Sequence, residues 1–163
     1  MDTKIAAYIA GFFDGDGSVR IQIQPRENVK LGFRVRAIIS FAQKTGHEEG
    51  LRWIRNQLGI GYLYNRNDGM SELKIEGFAQ VESILIKLFP FVHFKEKQVG
   101  LALKALRVIK KNPKAILKVA RITDKISELN YVTVRKKYTS KVIEQYLKSR
   151  EYTPVTTDPN LKK

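Results

Sequence analysis

The sequence predicts an α+β domain: a four-stranded antiparallel sheet flanked by helices, with further helices after it. Three observations carry this. Residues 18–26 and 33–44, and again 60–66 and 71–75, alternate apolar and polar side chains with period two, the mark of half-buried antiparallel strands. The segments before and between these pairs repeat apolar residues at helical spacing. The remainder of the chain is helical in pattern as well. The order is therefore α-β-β-α-β-β-α with a helix-rich continuation. A chain of 163 residues is long enough for a sizeable core. Residues 1–150 are expected to be one domain, with 1–94 its αββαββα core and 95–150 a helical extension, and 151–163 a flexible tail.

Each element has its own signal. In residues 3–13, TKIAAYIAGFF, Ile5, Ile9, Phe12 and Phe13 recur at helical spacing. Ala7 and Gly11 are small and four apart, so they share a face where another backbone can come close. Gly15 and Gly17 are expected to stop this helix. In SVRIQIQPR, Val19, Ile21 and Ile23 alternate with Arg20, Gln22, Gln24 and Arg26. In FRVRAIISFAQK, Phe33, Val35, Ala37, Ile39 and Phe41 form the apolar face. Arg34, Arg36, Ile38, Ser40, Ala42 and the neighbourhood of Gln43 lie on or near the other. A turn falls around residues 27–32. Thr45 and Glu48 have capping-box spacing ahead of a helix carrying Leu51, Ile54 and Leu58 and closed by Gly59. Two further strands, IGYLYNR and SELKI, are joined by Asn67-Asp68-Gly69. Leu63, Leu73 and Ile75 suit the buried face, and Tyr64, Arg66, Glu72 and Lys74 the exposed one. FAQVESILIKLF is a third helix ended by Pro90. Residues 95–111 read as a fourth. Asn112-Pro113 reads as a cap with proline at the first position of a fifth, running to about Asn130. Thr139 or Ser140 caps a sixth, to about Ser149.

The charge is lopsided. The net charge is +14, and residues 95–163 hold 18 basic against 6 acidic side chains, where residues 1–94 hold 12 against 10. Such a balance points to a polyanion, nucleic acid or an anionic membrane surface. Cysteine is absent, which excludes disulfides, thiolate zinc sites and a cysteine nucleophile. Two histidines are too few for a zinc cluster. No apolar run reaches membrane-spanning length and no signal-peptide pattern appears. A soluble chain in the cytoplasm or an organelle, without a membrane partner, is the expectation.

The open face of the predicted sheet collects Arg20, Gln22, Gln24, Arg26, Arg34, Arg36, Tyr64, Arg66 and Lys74. Any one of these is ordinary on a solvated face. As a set, arginine and glutamine replace the usual lysine and glutamate mixture, and these two side chains read guanine and adenine bidentately in the major groove. At ~3.3 Å per residue, residues 18–28 extend roughly 36 Å. That is about ten base-pair steps of ~3.4 Å.

The stretch IAGFFDGDGS, Ile9 to Ser18, alternates Asp14 and Asp16 with Gly15 and Gly17. A calcium EF-hand starting at Asp14 would need glycine and glutamate where Val19 and Pro25 stand. A plain turn accounts for the glycines but not for a carboxylate at a helix C-terminus, which opposes the macrodipole. The third reading is a hard-metal site, in which a carboxylate and a carbonyl are completed by phosphate oxygens and water. Beside a basic sheet, phosphodiester hydrolysis is the natural chemistry.

IAGFFDGDG, residues 9–17, resembles the LAGLIDADG motif of homing endonucleases. The α-β-β-α-β-β-α order is that family's core. AQKT (42–45), GIGY (59–62), PFVHFKEKQ (90–98) and Leu129-Asn130 before a basic connector resemble the single-motif, homodimeric members along nearly the whole chain. The resemblance implies the LAGLIDADG homing endonuclease fold with a curved antiparallel DNA-binding sheet and C-terminal helices. It implies a homodimer on a long, near-palindromic double-stranded DNA target. Its motif helices pack along the dyad through Ala7, Ala10 and Gly11. Asp16 would be the metal ligand, with the Gly15 carbonyl a second, and Asp14 a capping or orienting group. The cofactor implied is Mg²⁺ or Mn²⁺, with Ca²⁺ as a non-catalytic substitute. Gln43 and Lys95 match residues that organise water or metal and support developing charge. His47 stands where dimeric relatives often carry arginine, and joins the catalytic set or does nothing. Ser40 and Glu72 are added to the DNA-binding face, and Arg135, Lys136, Lys137 and Lys141 would neutralise phosphates. The competing readings are an RNA maturase or non-cleaving binder of the same fold, and a basic RNA-associated structural protein, which explains the charge and not the motif.

Overall fold

The computed structural model describes residues 1–26, 29, 31–130 and 137–151. Helix α1 (Thr3–Asp16) is capped by the Asp2 carboxylate, which accepts the Lys4 N–H at 2.8 Å. It runs three residues beyond the expected end at Phe13, so Gly15 does not stop it. The reason is tertiary: an ammonium from elsewhere in the chain holds its last carbonyls, which offsets the roughly 1 kcal/mol that glycine costs inside a helix. Gly17 ends it. There the backbone is extended (φ −97°, ψ 162°) and passes directly into the first strand. A Cβ at Gly17 would lie 2.4–2.7 Å from Phe13, so only glycine allows that immediate change of direction.

Strands β1 (Gly17–Pro25), β2 (Phe33–Lys44), β3 (Tyr62–Asn65) and β4 (Met70–Glu76) form one sheet in the order β1-β2-β4-β3, with every pair antiparallel. The paired part of β1 is nine residues, so its reach is ~30 Å, shorter than the sequence estimate. Residues 27 and 28 of that estimate lie outside the described residues. On one face Val19, Ile21, Ile23, Val35, Ala37, Ile39, Phe41, Leu73 and Ile75 are buried. They share a single core with Ile9, Ala10 and Phe13 of α1 and with α3 (Phe78–Leu88), α4 (Glu96–Lys111) and α5 (Ile116–Glu128). The helices thus cover the apolar face and leave the polar face open. Ile38 corrects the simple alternation. It shares parity with the open face but is 1% exposed, because Arg20 and Glu76 flank it on the neighbouring strands and long polar side chains lie across it.

Two predicted caps are not used. α2 (Glu49–Leu58) has no side-chain cap. Glu48 instead accepts the Gly46 N–H and the Ser71 hydroxyl, while the Thr45 hydroxyl pairs with Ser71. The box residues are drawn off by β4. Asn112 accepts the Lys114 N–H and so makes a local turn, and Pro113 precedes α5 rather than opening it. Lys95 precedes α4, with its side chain engaged elsewhere. In contrast, Gly59 closes α2 in the left-handed region (φ 67°). Thr139 opens α6 (Ser140–Glu151), its hydroxyl accepting the Val142 N–H. Tyr138 and Tyr146 pack on Phe33, with ring centroids 6.1 and 4.8 Å away, which fastens α6 to the far end of the β1–β2 pair. No helix among the described residues is long and apolar enough to cross a membrane.

Candidate active site

The end of α1 is built from three distant segments. Lys95 reaches it and donates from Nζ to the carbonyls of Phe13 (3.0 Å), Asp14 (2.5 Å) and Gly15 (3.1 Å). This caps the carbonyls that a helix leaves unpaired and places a cation at the negative end of the helix dipole. Burial pushes the Lys95 pKa below the ordinary lysine value, and the charges of Asp14 and Asp16 offset part of that. The Asp14 carboxylate accepts the backbone N–H groups of His93 (2.6 Å) and Lys95 (3.0 Å). It therefore ties the segment entering α4 to α1. Asp16 is exposed at the helix end, and its Oδ2 accepts Gln43 Nε2 at 2.8 Å. Gln43 has the parity of Phe41, on the covered side of β2, which is how it reaches α1 rather than the open face. Asp16, Gly15, Gln43 and Lys95 are thus brought together from α1, β2 and the entry to α4.

His47 lies apart from this hydrogen-bonded set, exposed in the turn after β2, with its backbone N–H on the Lys44 carbonyl. Its ring makes no hydrogen bond among the described residues.

The open face of the sheet carries two polar networks. In the first, buried Glu72 accepts from Arg20 (2.7 Å) and the Tyr64 hydroxyl (2.6 Å), and Arg20 also reaches Ser40 at 3.1 Å. Burial raises the Glu72 pKa, but hydrogen bonds from Tyr64 and Ser40 and the charge of Arg20 outweigh it and hold the carboxyl below its usual range. In the second, Glu76 binds Arg36 at 2.5 Å and Lys74 at 2.6 Å, with the Tyr62 hydroxyl at 3.3 Å. Lys74 and then Arg36 hold Glu76 down to about 2, from an ordinary 4.5. A depressed carboxyl contributes stability that is complete above the unfolded value and is lost as pH falls through the folded one. Its window is therefore from 4.5 down to about 2. Glu76→Gln is expected to flatten the acid limb of a stability–pH curve in that window, and carbon-13 NMR should find the Glu76 carboxyl still ionised where an ordinary glutamate has titrated.

With this geometry in place, comparison with known proteins is decisive. Residues 9–99, more than half of the chain, match the family described as LAGLIDADG endonuclease. The chain belongs to the LAGLIDADG endonuclease family. It is 34% identical over 125 residues to the DNA endonuclease I-CvuI of Chlorella vulgaris, covering 76% of this chain and 78% of that one. It is 32% identical over 145 residues to the DNA endonuclease I-CreI of Chlamydomonas reinhardtii, covering 87% and 88%. Its structure superposes on I-CvuI in complex with its DNA target in the presence of 2 mM Ca with a TM-score of 0.82, at 30% identity and covering 90% and 94% of the two chains. An archaeal intron-encoded homing endonuclease, I-Vdi141I, complexed with DNA, shares the fold at a TM-score of 0.78 and 18% identity.

On this LAGLIDADG chain the predicted interface residues divide. Ala7 and Gly11 are exposed on α1, but Ala10 is fully buried in the chain's own core and so cannot meet a partner. Of the predicted reading face, Gln24, Arg26, Arg34, Tyr64 and Arg66 are exposed and Arg20, Gln22, Arg36 and Lys74 half-buried. Ser40 and Glu72 are corrections, at 5% and 3% exposure. They lie beneath Arg20 and Tyr64 and support the face rather than form it. Arg66 also pairs with Asp68. Lys137 and Lys141 are exposed beside the aromatic contact that anchors α6 at the far end of β1–β2. Arg135 and Lys136 lie outside the described residues.

Sequence reasoning missed Glu76 and Tyr62. Period-two alternation from Glu72 through Lys74 reaches Glu76 directly, so the signal was present. It also missed Phe94, 81% exposed next to the Asp14-bound N–H groups, for which no sequence signal exists.

Proposed function

We propose that this LAGLIDADG endonuclease is a site-specific homing endonuclease that makes double-strand breaks in a long, near-palindromic DNA target as a homodimer. The observation that carries it is Asp16. This carboxylate is exposed at the end of α1, steadied by Gln43 and set beside a lysine-capped helix terminus. Two relatives are DNA endonucleases, and one of them has been crystallised on DNA with Mg or Ca.

The residues fit a hard divalent cation. Asp16 and the Gly15 carbonyl offer oxygen donors of the type that suits Mg²⁺, Mn²⁺ or Ca²⁺. No group of three acidic, histidine or cysteine side chains is placed to hold a metal ion among the described residues, so phosphate oxygens, water and a second copy's Asp16 would complete the shell. When bound, such an ion lowers the pKa of water and stabilises the leaving oxygen. The chain's own residues prepare the place. Gln43 fixes one carboxylate oxygen and leaves the other to face outward. Lys95 neutralises the helix end so that an anionic phosphate can approach. The exposed arginines and glutamines of the sheet read base edges, and Lys137 and Lys141 neutralise phosphates without reading sequence.

The homodimer rests on α1. Ala7, Gly11 and Gly15 recur every fourth residue on its open side, and a Cβ at Gly11 or Gly15 would meet nothing within 4 Å inside the chain. Nothing within the protomer calls for so small a surface there, whereas a second backbone does. Exposed Tyr8 (66%) and Phe94 flank it. With one motif per chain, a twofold pair places two copies of Asp16 near the dyad. A paired strand of nine residues gives about nine base-pair steps per half-site.

Selection of cleaved sites from a randomised duplex library with Mg²⁺ tests the reading. A symmetric consensus of roughly eighteen base pairs is expected from that spacing. An asymmetric consensus would overturn the homodimer, and absence of any cleaved site would favour the non-cleaving binder.

A further inference from the structure

Each polar network on the open face takes side chains from all four strands, and each is centred on a glutamate. Around Glu76 these are Gln24 of β1, Arg36 of β2, Lys74 of β4 and Tyr62 of β3, with Gln24 Oε1 at 3.5 Å from the Arg36 fork. A carboxylate on a surface meant for phosphates repels its ligand, so its presence calls for an explanation. Glu72 is buried and has a supporting role beneath the surface. Glu76 is 28% exposed by side chain, as is Arg36, and Lys74 is 18% exposed.

We propose that Glu76 is a specificity-determining positioning residue: it holds Arg36 and Lys74 down on the sheet, so that their remaining N–H groups meet base edges instead of swinging to the phosphates. This rests on the sheet-reading proposal above. The chemistry is direct. Arginine has five donors in a rigid fork and lysine three. Glu76 engages Nη2 of Arg36 and one N–H of the Lys74 ammonium, Gln24 Oε1 lies 3.5 Å from Arg36 Nη1, and the remaining N–H donors are held at a fixed height. Without it, two adjacent cations repel, and the nearest anions are DNA phosphates. Phosphate contacts add affinity without sequence information. Glu76 thus gives up non-specific affinity for discrimination, a repulsive element that excludes the wrong mode of binding.

The test uses the full chain, with Glu76→Gln and Arg36→Lys compared against wild type on the cognate site, on single-base variants of it and on unrelated duplex over a range of salt. For Glu76→Gln, discrimination at the base pairs under the network should fall about tenfold or more, since a bidentate base contact is worth about 1–3 kcal/mol. Non-specific binding should tighten, with a salt slope steeper by about 0.9 for each cation released to a phosphate. Arg36→Lys keeps the charge and loses the fork, so discrimination should fall with the slope unchanged. Unchanged discrimination in Glu76→Gln would overturn the inference. Lost discrimination with no steepening would overturn it too, because Glu76 would then be contacting a base itself. Arg34→Ala and Gln22→Ala, outside the network, separate the two readings. If they alter the cleavage profile and Glu76→Gln does not, only this inference falls. If none of them does, sheet reading falls with it.

Discussion

Asp16→Asn is expected to abolish cleavage while leaving the protein as stable or more stable. The exchange removes the one exposed carboxylate at the end of α1 but keeps its shape, and an asparagine oxygen can still accept Gln43 Nε2. Divalent-metal chemistry supplies several kcal/mol to hydrolysis, and about 4 kcal/mol is a thousandfold in rate. A fall of at least about 10³ in single-turnover cleavage follows, with cognate binding retained. Stability should move the other way. A negative charge at a helix C-terminus opposes the macrodipole by about 0.3–1 kcal/mol, and in the proposed homodimer two copies near the dyad would repel each other. Against this stands the attraction of Asp16 for Lys95, but that ammonium already has three carbonyl partners. A rise of about 0.5 kcal/mol is the expected balance. It is measured as a higher melting temperature at fixed protein concentration, since association also sets that value. Cleavage within tenfold of wild type would remove Asp16 from the metal site.

The contrast between Asp16 and its neighbour shows how far the sequence could be read. The alternation at residues 18–26 and 33–44 placed the strands, because a pleated strand with one covered face must alternate. The same rule failed at Ile38, where cover came from side chains on adjacent strands, and stopped short of Glu76 although the period reached it. The carboxylate at the end of α1 looked electrostatically wrong because the ammonium that corrects it comes from Lys95, a separation no local pattern spans. For the same reason local pattern makes Gly15 a helix stop. Caps fared worst. Thr45, Glu48 and Asn112 all had the right spacing, but hydrogen-bonding side chains go to the strongest partner nearby, and β4 and a local turn supplied it. The small residues on α1 were legible as a group, whereas the division between buried Ala10 and exposed Ala7 and Gly11 depends on which side meets the sheet.

Asp14→Ala, two residues away, is expected to move stability in the opposite direction to Asp16→Asn and to be the more damaging to the fold. Asp14 receives two backbone N–H groups, from His93 at 2.6 Å and Lys95 at 3.0 Å. Hydrogen bonds to a charged group contribute about 1.5–3 kcal/mol each. Asp14 is half-buried, so water recovers part of the loss, and about 2–3 kcal/mol of destabilisation remains. For a chain of this size that lowers the melting temperature by roughly 4–12 °C. The damage also reaches the chemistry. The same bonds set the backbone of Lys95, whose ammonium caps α1 and holds the Gly15 carbonyl. Losing them should loosen Asp16 and slow cleavage even at temperatures where the variant is folded. Asp14→Asn keeps one acceptor and should recover less than half of the stability, because the His93 and Lys95 N–H groups sit on different carboxylate oxygens and the amide turns its NH2 toward one of them while the charge is lost. If Asp14→Ala melts with wild type, the tie between α1 and the entry to α4 is not what holds the site together. If it is destabilised as expected yet cleaves at the wild-type rate while folded, Lys95 holds its place without Asp14, and the two aspartates divide cleanly into one for structure and one for metal.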